Sequence, residues 1–203
     1  MDVDTLKAVA ICGHVCSGKS SLVAYLSRSH HFDVVSFGDY VRHLATVQGL
    51  PSTRAVWLEL GERAYRNRGP QGLLYDTLRF AEPHSNVHLL DGVRDPDMAT
   101  AVRAAYGASL VVFLRVSDGE RFSRYKARAA RGDPVLSYEE FCELSRHPIE
   151  QHVSDIEEVA DVLIDASRVL EQVVADVELL LTQRAFIGCE PGPCWRERAG
   201  QSG

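Results

Sequence analysis

The sequence predicts an α/β fold, a three-layer α/β/α arrangement in which a doubly wound, five-stranded parallel sheet lies between two layers of helices. Five short apolar segments alternate with helix-periodic segments along the 203 residues. The most apolar of them, 108–116, is continuous rather than alternating, which is typical of a strand covered on both faces. Strands that alternate with helices form parallel sheets, and such sheets bind ligands at the carboxyl ends of their strands.

The first half of the chain contains two predicted strands and four predicted helices. Apolar β-prone runs indicate the strands, and apolar residues at helical spacing indicate the helices. The fourth predicted helix is separated from the third by the breaker segment RGPQG. In chain order the strands are Lys7–Cys12 and 32–37, and the helices are 20–29, one that begins at Asp39, 54–66 and 72–82.

The second half of the chain continues the alternation. Asp95 and Pro96 form a helix start, and Gly107 forms a helix stop. Ser137 and Glu140 have the spacing of a capping box. The predicted strands are 86–93, 108–116 and 160–167, and the predicted helices are 95–107, 118–131, 137–146 and 169–186.

Composition and charge limit the classes of partner. A net charge of −6 provides no broad basic surface, so we expect no nucleic-acid binding and a small-molecule partner instead. No apolar run approaches the roughly 18 to 20 residues that span a bilayer, so we expect no membrane association. Cys12 and Cys16 lie where a disulfide would distort the backbone, so we expect reduced thiols. We also expect a cytoplasmic protein that is a monomer or a homodimer.

The segment GHVCSGKS, residues 13–20, predicts a phosphate-binding loop between the first strand and the first helix. Its glycines allow successive backbone amides to face one phosphate, and the helix N-terminus adds positive charge. Lys19 would reach the outer phosphates, and the Ser20 hydroxyl would bind Mg²⁺. The nucleotide-binding residues predicted from this segment are Gly13, His14, Val15, Cys16, Ser17, Gly18, Lys19, Ser20 and Ser21. A glycine-rich turn that only joins a strand to a helix is the alternative.

The loop alone does not select a reaction, because GTPases, motor ATPases and small kinases share it. The sequence lacks the NKxD motif with which GTPases read the base, and a motor ATPase would need a longer chain. A kinase remains, with ATP as its phosphoryl donor. Such an enzyme also needs a second phosphate site, an acid that organises Mg²⁺, and mobile positive charge.

The segment VSFGDYVR, residues 35–42, resembles the S-T-G-D-x-x-R motif of adenylate kinases and related nucleoside monophosphate kinases. Phe37 stands where that family has threonine. The resemblance implies that Arg42 holds the phosphate of the acceptor and that Asp39 lies near the magnesium and the reacting oxygens. It also implies the strand order 2-3-1-4-5 and a helical lid.

LLDGVRD, residues 89–95, is similar to the D-G-F-P-R segment of the same family, shortened by one residue as in the dephospho-CoA kinase-like branch. The resemblance implies that Asp91 holds a magnesium-bound water and that Arg94 binds the phosphate of the acceptor. The structural alternatives are a helix cap for Asp91 and a surface ion pair for Arg94.

Arginines at spacings of three and four lie on one face of the predicted helix 118–131. In similar kinases this segment is a lid whose arginines close over the transferred group, which implies that role for Arg124, Arg128 and Arg131, with Asp133 as a partner. A solvated helix face is the alternative. The resemblance implies one kinase domain over 1–187, acceptor-binding helices at about 39–82 and a lid at about 118–147. The tail 188–203 is rich in Gly, Pro and charge, so we expect it to be disordered.

Residues 47–73 and 131–141 look like segments of a group of small archaeal-type kinases, so the resemblance covers roughly 7–180. In such folds the loop after the last strand reads the adenine, with Ser167 as a candidate. The predicted reaction is ATP- and Mg²⁺-dependent phosphoryl transfer to a nucleoside monophosphate. Two alternatives are phosphorylation of a hydroxyl, as in dephospho-CoA kinases with Asp39 as base, and a nucleotide-binding module without catalysis.

Overall fold

The computed structural model describes residues 6–129, 135–145 and 151–188. Its sheet has five parallel strands in the order β2-β3-β1-β4-β5, which confirms the predicted fold class and strand order. The strands are β1 (Lys7–Cys12), β2 (Asp33–Ser36), β3 (Val87–Asp91), β4 (Ala108–Arg115) and β5 (Val162–Asp165). The helices of the described residues are α1 (Lys19–His30), α2 (Phe37–Val47), α3 (Arg54–Ala81), α4 (Pro96–Ala105), α5 (Asp118–Ala129), α6 (Tyr138–Ser145), α7 (Ile156–Val159) and α8 (Leu170–Gln183).

The two central strands are covered on both faces. All of β1 from Ala8 to Cys12 is fully buried, and five consecutive residues of β4 are buried as well. Alternate residues of β1 enter different cores: Val9 and Ile11 pack with α1 and α8, whereas Ala10 and Cys12 pack with α2, α3, α4 and α7. A continuous apolar run therefore indicated a strand between two helical layers, as expected for a parallel sheet.

Helix α2 begins two residues earlier than the sequence predicts. Ser36, the last residue of β2, is the N-cap, and its Oγ accepts a hydrogen bond from the Asp39 backbone N–H at 3.2 Å. Asp39 lies within the first turn, so the prediction that it starts the helix is wrong. A serine that ends a strand and caps a helix leaves no loop between them, which brings the start of α2 to the carboxyl edge of the sheet.

Helix α3 contains the predicted break. Gly69 has φ of 63° and ψ of 175°, a backbone conformation outside the helical region, and Pro70 follows it. Along the chain, the helical segments extend to both sides of Gly69, so the break is shorter than the gap between the predicted helices 54–66 and 72–82. The break lets one segment pack on α2 through Leu60, while the other packs on the sheet through Leu73 and Leu74.

The predicted capping box before α6 is present. The Ser137 N–H donates to Glu140 Oε2 at 2.7 Å, and the Glu140 N–H donates to Ser137 Oγ at 3.2 Å. Phe141 of this helix is buried against Tyr125 and Phe122 of α5. Residues 130–134, 146–150 and 189–203, and with them the predictions for Arg131, Asp133 and the tail, lie outside the described residues. No described helix has both the length and the apolar character needed to cross a membrane.

Candidate functional site

Three neighbouring strands end at one edge of the sheet and bring the predicted site segments together. Asp91, at the end of β3, is paired with Ile11 of β1 on one side and with Ser36 of β2 on the other. The phosphate loop follows β1 directly, and α2 follows β2 directly. The loop, Asp91 and the first turn of α2 therefore lie side by side at the carboxyl edge.

The loop over 13–18 relies on left-handed backbone conformations at three residues. Gly13 has φ of 139°, and a Cβ at this position would lie 2.8 Å from the Leu114 carbonyl oxygen. Gly18 has φ of 101° and is the N-cap of α1. Cys16 has φ of 64°, which is uncommon for a residue with a side chain. The first glycine is thus required by the close approach of β4 as well as by its dihedral angle.

Lys19 turns back over the loop. Its ammonium donates hydrogen bonds to the carbonyl oxygens of Gly13 at 2.6 Å and His14 at 2.8 Å. The positive charge is thus held beside the backbone that would surround a phosphate, as the sequence prediction for Lys19 requires.

The N-terminus of α1 is suited to an anion. Gly18 offers no capping side chain, and the first turn of α1 contains no acidic residue. Ser20 and Ser21 are exposed in that first turn. Backbone N–H groups at a helix start attract negative charge through their own polarity and through the helix dipole.

The Ser17 hydroxyl of the loop is buried without a hydrogen-bond partner among the described residues. The Ser17 side chain is 1% exposed. An orphaned hydroxyl usually costs free energy, so it indicates a position where a ligand or a water completes the site. His14, on the other side of the loop, bonds through Nε2 to Ser154 Oγ at 3.2 Å and packs edge-on against Phe113.

Two arginines of α5 contact the outer side of the loop. Arg121 donates to the Val15 carbonyl at 3.2 Å, and Arg124 donates to the Ser17 carbonyl at 3.2 Å. Arg124 also donates to the Ala166 carbonyl at 2.5 Å, which joins the phosphate loop to the segment after β5. Arg128, one helical turn on, is exposed and lies 5.7 Å from the centre of the Tyr125 ring.

On the α2 side, Arg42 is folded over the start of its own helix. It forms an ion pair with Asp39, and its guanidinium carbon lies 5.5 Å from the centre of the Trp57 ring. A Cβ at Gly38 would lie 3.4 Å from Arg42 Nη1. Gly38 therefore borders the guanidinium, at a distance where a Cβ would make an ordinary contact.

The loop after β3 comes close to the same place. Gly92 has φ of 102°, and a Cβ there would lie 3.3 Å from the Phe37 Cβ and 3.9 Å from the Gly38 N. Asp91 and Arg94, at the beginning and end of this short connection, are both half-buried. Asp91 ends a strand and does not cap α4, since the N-cap of α4 is Asp95.

Ser167 lies after β5, as predicted, but its side chain is engaged locally. Its N–H and its hydroxyl both donate to Asp165 Oδ1, at 3.0 and 2.6 Å, and these bonds lower the pKa of Asp165. The Ala166 carbonyl of this segment instead accepts a hydrogen bond from Arg124, which also donates to the Ser17 carbonyl of the loop.

Cys12, the residue before the loop, is fully buried, and burial raises its thiol pKa to about 12. The nearby Lys19 lowers this pKa, and the nearby Asp91 raises it further. The two opposite charges at the carboxyl edge therefore both act on the thiol at the base of the loop, which remains protonated at neutral pH.

Ser20 and Asp91 offer a hydroxyl and a carboxylate, the hard oxygen donors that Mg²⁺ prefers. Within the described part of the chain, no group of three or more His, Cys, Asp or Glu side chains could hold a metal ion on its own. Mg²⁺ in phosphoryl-transfer sites is usually held by one or two protein oxygens together with substrate phosphates and water. The donor set fits that manner of binding.

Two contacts of the site were not predicted from the sequence. Arg121 lies on the arginine-rich face of the predicted helix 118–131 but has no predicted role in the site, and Trp57 has no predicted role either. The three-residue spacing from Arg121 to Arg124, just after the strand that neighbours the loop, is the signal that could have found the first. No local pattern announces that Trp57 packs on Arg42, because the two residues are joined only by the packing of α2 on α3.

Comparison with known proteins places this geometry in a family. A family described as AAA domain matches residues 9–140, which include the loop, α2, Asp91 and all of α5. No curated protein matches the sequence significantly.

Several solved structures of low sequence identity share the fold. The chain is similar to TT1252 from Thermus thermophilus, with 16% identity, a TM-score of 0.58, and coverage of 88% of this chain and 97% of the other. A shikimate kinase from Bacteroides thetaiotaomicron has 15% identity, a TM-score of 0.54, and coverage of 86% and 97%. A putative kinase from Chloroflexus aurantiacus has 15% identity, a TM-score of 0.53, and coverage of 89% and 98%. The chain therefore belongs to the AAA domain family, and it shares the P-loop kinase fold of these structures.

Proposed function

We propose that this protein transfers the γ-phosphoryl group of ATP to a small phosphorylated acceptor, a nucleoside monophosphate, with Mg²⁺ as cofactor. The observation that carries the proposal is the presence of two anion-binding elements at one sheet edge. One is the phosphate loop with Lys19, and the other is Arg42 on the first turns of α2. A phosphoryl donor and a phosphorylated acceptor need two such elements facing a common space.

The donor side consists of the loop amides, the N-terminus of α1 and Lys19. Lys19 exchanges its bonds to the Gly13 and His14 carbonyls for the β- and γ-phosphate oxygens. Ser20 and Asp91 would hold Mg²⁺, which supplies charge neutralisation on the β- and γ-phosphates. The Ala166–Ser167 segment is joined to the loop by Arg124, which donates to carbonyls of both. Backbone groups of this segment would contact the base.

The acceptor side consists of Arg42 and Arg94, within helices at about 39–82 and the loop after β3. Arg42 exchanges its exposed ion pair with Asp39 for the phosphate of the acceptor, because an exposed pair is weak and a bidentate phosphate contact is strong. Asp39 then remains near the reacting oxygens. A phosphate acceptor is already ionised and needs no strong base.

The segment 118–147 would act as a lid. Arg124, Arg128 and Arg131 supply mobile positive charge over the transferred group, and closure excludes water, so that ATP is not simply hydrolysed. Arg124 would have to leave the Ser17 and Ala166 carbonyls to do so, whereas Arg128 is exposed and is placed on the same helix face. This makes Arg128 the better supported lid residue of the two.

Phosphorylation of a hydroxyl is the second candidate function. Asp39 is exposed in the first turn of α2, where its carboxylate has access to an incoming alcohol. A structure of similar fold is described as a shikimate kinase from Acinetobacter baumannii in complex with shikimate. In a transfer to an alcohol, Asp39 would accept the proton of the hydroxyl, and Arg42 would hold an anionic group of the acceptor.

A screen of ATP consumption across ribo- and deoxynucleoside monophosphates, dephospho-CoA and shikimate would separate these functions. We expect turnover with at least one monophosphate and none with the alcohols. Arg42→Ala should raise the KM for that monophosphate by more than tenfold and leave the affinity for ATP within about twofold. The reason is that, of the two substrates, Arg42 would contact only the acceptor. The matched control is Arg63→Ala, since Arg63 is an exposed arginine of α3 that donates a hydrogen bond to Gln48.

Turnover of an alcohol with none of any monophosphate would overturn the proposed acceptor class. ATP binding without turnover of any acceptor, unchanged in Arg42→Ala and Arg94→Ala, would identify a nucleotide-binding module without catalysis. The proposal includes a cytoplasmic protein, a monomer or a homodimer, and reduced thiols in the loop support a reducing compartment.

A further inference from the structure

The phosphate loop is held by an arginine of α5 that donates to a backbone carbonyl of the loop. Arg121 Nη1 donates to the Val15 carbonyl oxygen at 3.2 Å. In a trans peptide the carbonyl and the N–H of one unit point in opposite directions. A bond that turns the Val15 carbonyl towards α5 therefore turns the Cys16 N–H away from α5. The Arg124 bond to Ser17 acts in the same way on the Gly18 N–H.

Arg121 is fixed in place more firmly than a substrate-binding arginine could be. Its side chain is 3% exposed, Nη2 donates to Asp118 Oδ1 at 2.6 Å, and the guanidinium carbon lies 5.5 Å from the centre of the buried Phe141 ring. Burying a charge is unfavourable unless it is paired and hydrogen-bonded. The Asp118 carboxylate and the Val15 carbonyl accept hydrogen bonds from the two terminal nitrogens, and the Phe141 ring covers the guanidinium, so these contacts hold Arg121 in its place.

The peptide that Arg121 holds precedes a strained residue. Cys16 has φ of 64°, a conformation that a residue with a Cβ keeps only when its surroundings impose it. The hydrogen bond to Val15 fixes the peptide plane on the N-terminal side of Cys16. An external donor at this point explains how a cysteine can stand where a glycine would be relaxed.

We infer that Arg121 is a positioning residue of the phosphate loop, which keeps the Val15–Cys16 peptide oriented for a nucleotide phosphate and couples that orientation to the packing of α6 through Phe141. This inference rests on the nucleotide binding in the proposed function but not on the identity of the acceptor. It also assigns different roles to the arginines of α5, since the buried Arg121 organises the loop, whereas the exposed Arg128 has the role proposed above over the transferred group.

Calorimetric titration of ADP into Arg121→Met would test this role. We expect the affinity for ADP to fall by at least tenfold. The matched control is Arg103→Met, because Arg103 donates to a backbone carbonyl, that of Val159, at 2.5 Å and to Asp161 at 3.2 Å. Arg103→Met removes the same kinds of bonds elsewhere and should leave the affinity for ADP within twofold. Urea unfolding of both variants would establish that each is folded at the titration temperature.

A rescue variant separates positioning from general stability. Because glycine adopts φ of 64° without strain, Cys16→Gly in the Arg121→Met background should recover at least threefold of the lost ADP affinity. If Arg121→Met does not fold, Arg121→Lys carries the test. A single ammonium cannot reproduce the planar contacts to Val15 and Asp118 together, so its ADP affinity should fall by at least threefold.

The outcomes are distinguishable from those of the proposed function. Unchanged ADP affinity in a folded Arg121 variant, beside normal binding by the unaltered protein, would overturn this inference alone. An equal loss in Arg103→Met, or no gain from Cys16→Gly, would also overturn it, because the effect would then be one of general stability. Failure of the unaltered protein to bind ADP would overturn the proposed function and the inference together.

Discussion

At Gly13 the sheet and the phosphate loop come into direct contact. The residue has φ of 139°, and a Cβ would lie 2.8 Å from the Leu114 carbonyl of the neighbouring strand and 2.8 Å from Ser17 Oγ. The first obstacle is backbone at the core of the sheet and cannot move cheaply. One residue therefore satisfies a requirement of the fold and a requirement of the site.

Gly13→Ala should destabilise the protein by about 3 kcal/mol, through the clash and the disfavoured dihedral angle together. Urea unfolding would measure this loss, and ADP binding should disappear in the same variant because the loop must shift. Gly119→Ala is the control: nothing lies within 4 Å of a Cβ there, and the residue is in the first turn of α5. It should be neutral or stabilising by up to about 0.5 kcal/mol. Equal stabilities of the two variants would contradict the prediction.

At the residue scale, the sequence predicted what local chemistry determines. The loop from Gly13 to Ser20 could be identified because its glycines and lysine must stand at fixed spacing next to a strand. Arg121 could not be assigned, because whether an arginine on a helix is solvated or buried depends on a carbonyl 106 residues away. The roles given to all the predicted site residues, from the loop and Lys19 to Asp39, Arg42, Asp91 and Arg94, stay predictions.

At the element scale, the break within α3 shows how one residue sets the direction of two helical segments. Nothing lies within 4 Å of a Cβ on Gly69, so the position is not crowded. Its φ of 63° and ψ of 175° nevertheless belong to a region that is essentially restricted to glycine. The break is therefore maintained by backbone conformation and not by the lack of space.

Gly69→Ala should cost about 2 kcal/mol of unfolding free energy, although it removes no contact. Urea denaturation would measure the loss. A gain in stability would show instead that α3 straightens without penalty and that packing does not depend on the break. The substitution leaves the phosphate loop untouched, so the affinity for ADP should remain within about twofold.

Boundaries of elements were harder to predict than their existence. The β1 bounds agree with the sequence prediction because charged and glycine residues flank an apolar run. The predicted start of α2 at Asp39 is wrong. Ser36, which is also the last residue of β2, caps the helix three residues earlier, and Asp39 lies in the first turn. The break at RGPQG was foreseen from glycine and proline alone, since their backbone preferences are local.

At the scale of the whole molecule, the strand order follows from the alternation of strands and helices together with the family resemblance. Periodicity alone does not distinguish β2-β3-β1-β4-β5 from other parallel orders. The order has a functional result, because it places β1 between β3 and β4 and so centres the phosphate loop between the acceptor-side helices and α5.

ADP should stabilise the entire fold, because the loop it occupies is continuous with the central strand. At a concentration of 100 times its Kd, a ligand that binds only the native state adds about 2.7 kcal/mol. For a protein of this size that corresponds to a rise in Tm of roughly 5 to 10 °C. Differential scanning fluorimetry would measure the shift, and Lys19→Met should abolish most of it. A full shift in Lys19→Met would mean that ADP binds elsewhere.

The posture of Lys19 has a consequence for which ligands can enter. Its ammonium is already stripped of part of its hydration and satisfied by the Gly13 and His14 carbonyls. An uncharged ligand such as adenosine offers no anionic group that could replace these two carbonyls, whereas a polyphosphate does. Part of the desolvation of this cation is therefore complete before any ligand binds, and the phosphate loop selects ligands by charge before it selects them by shape.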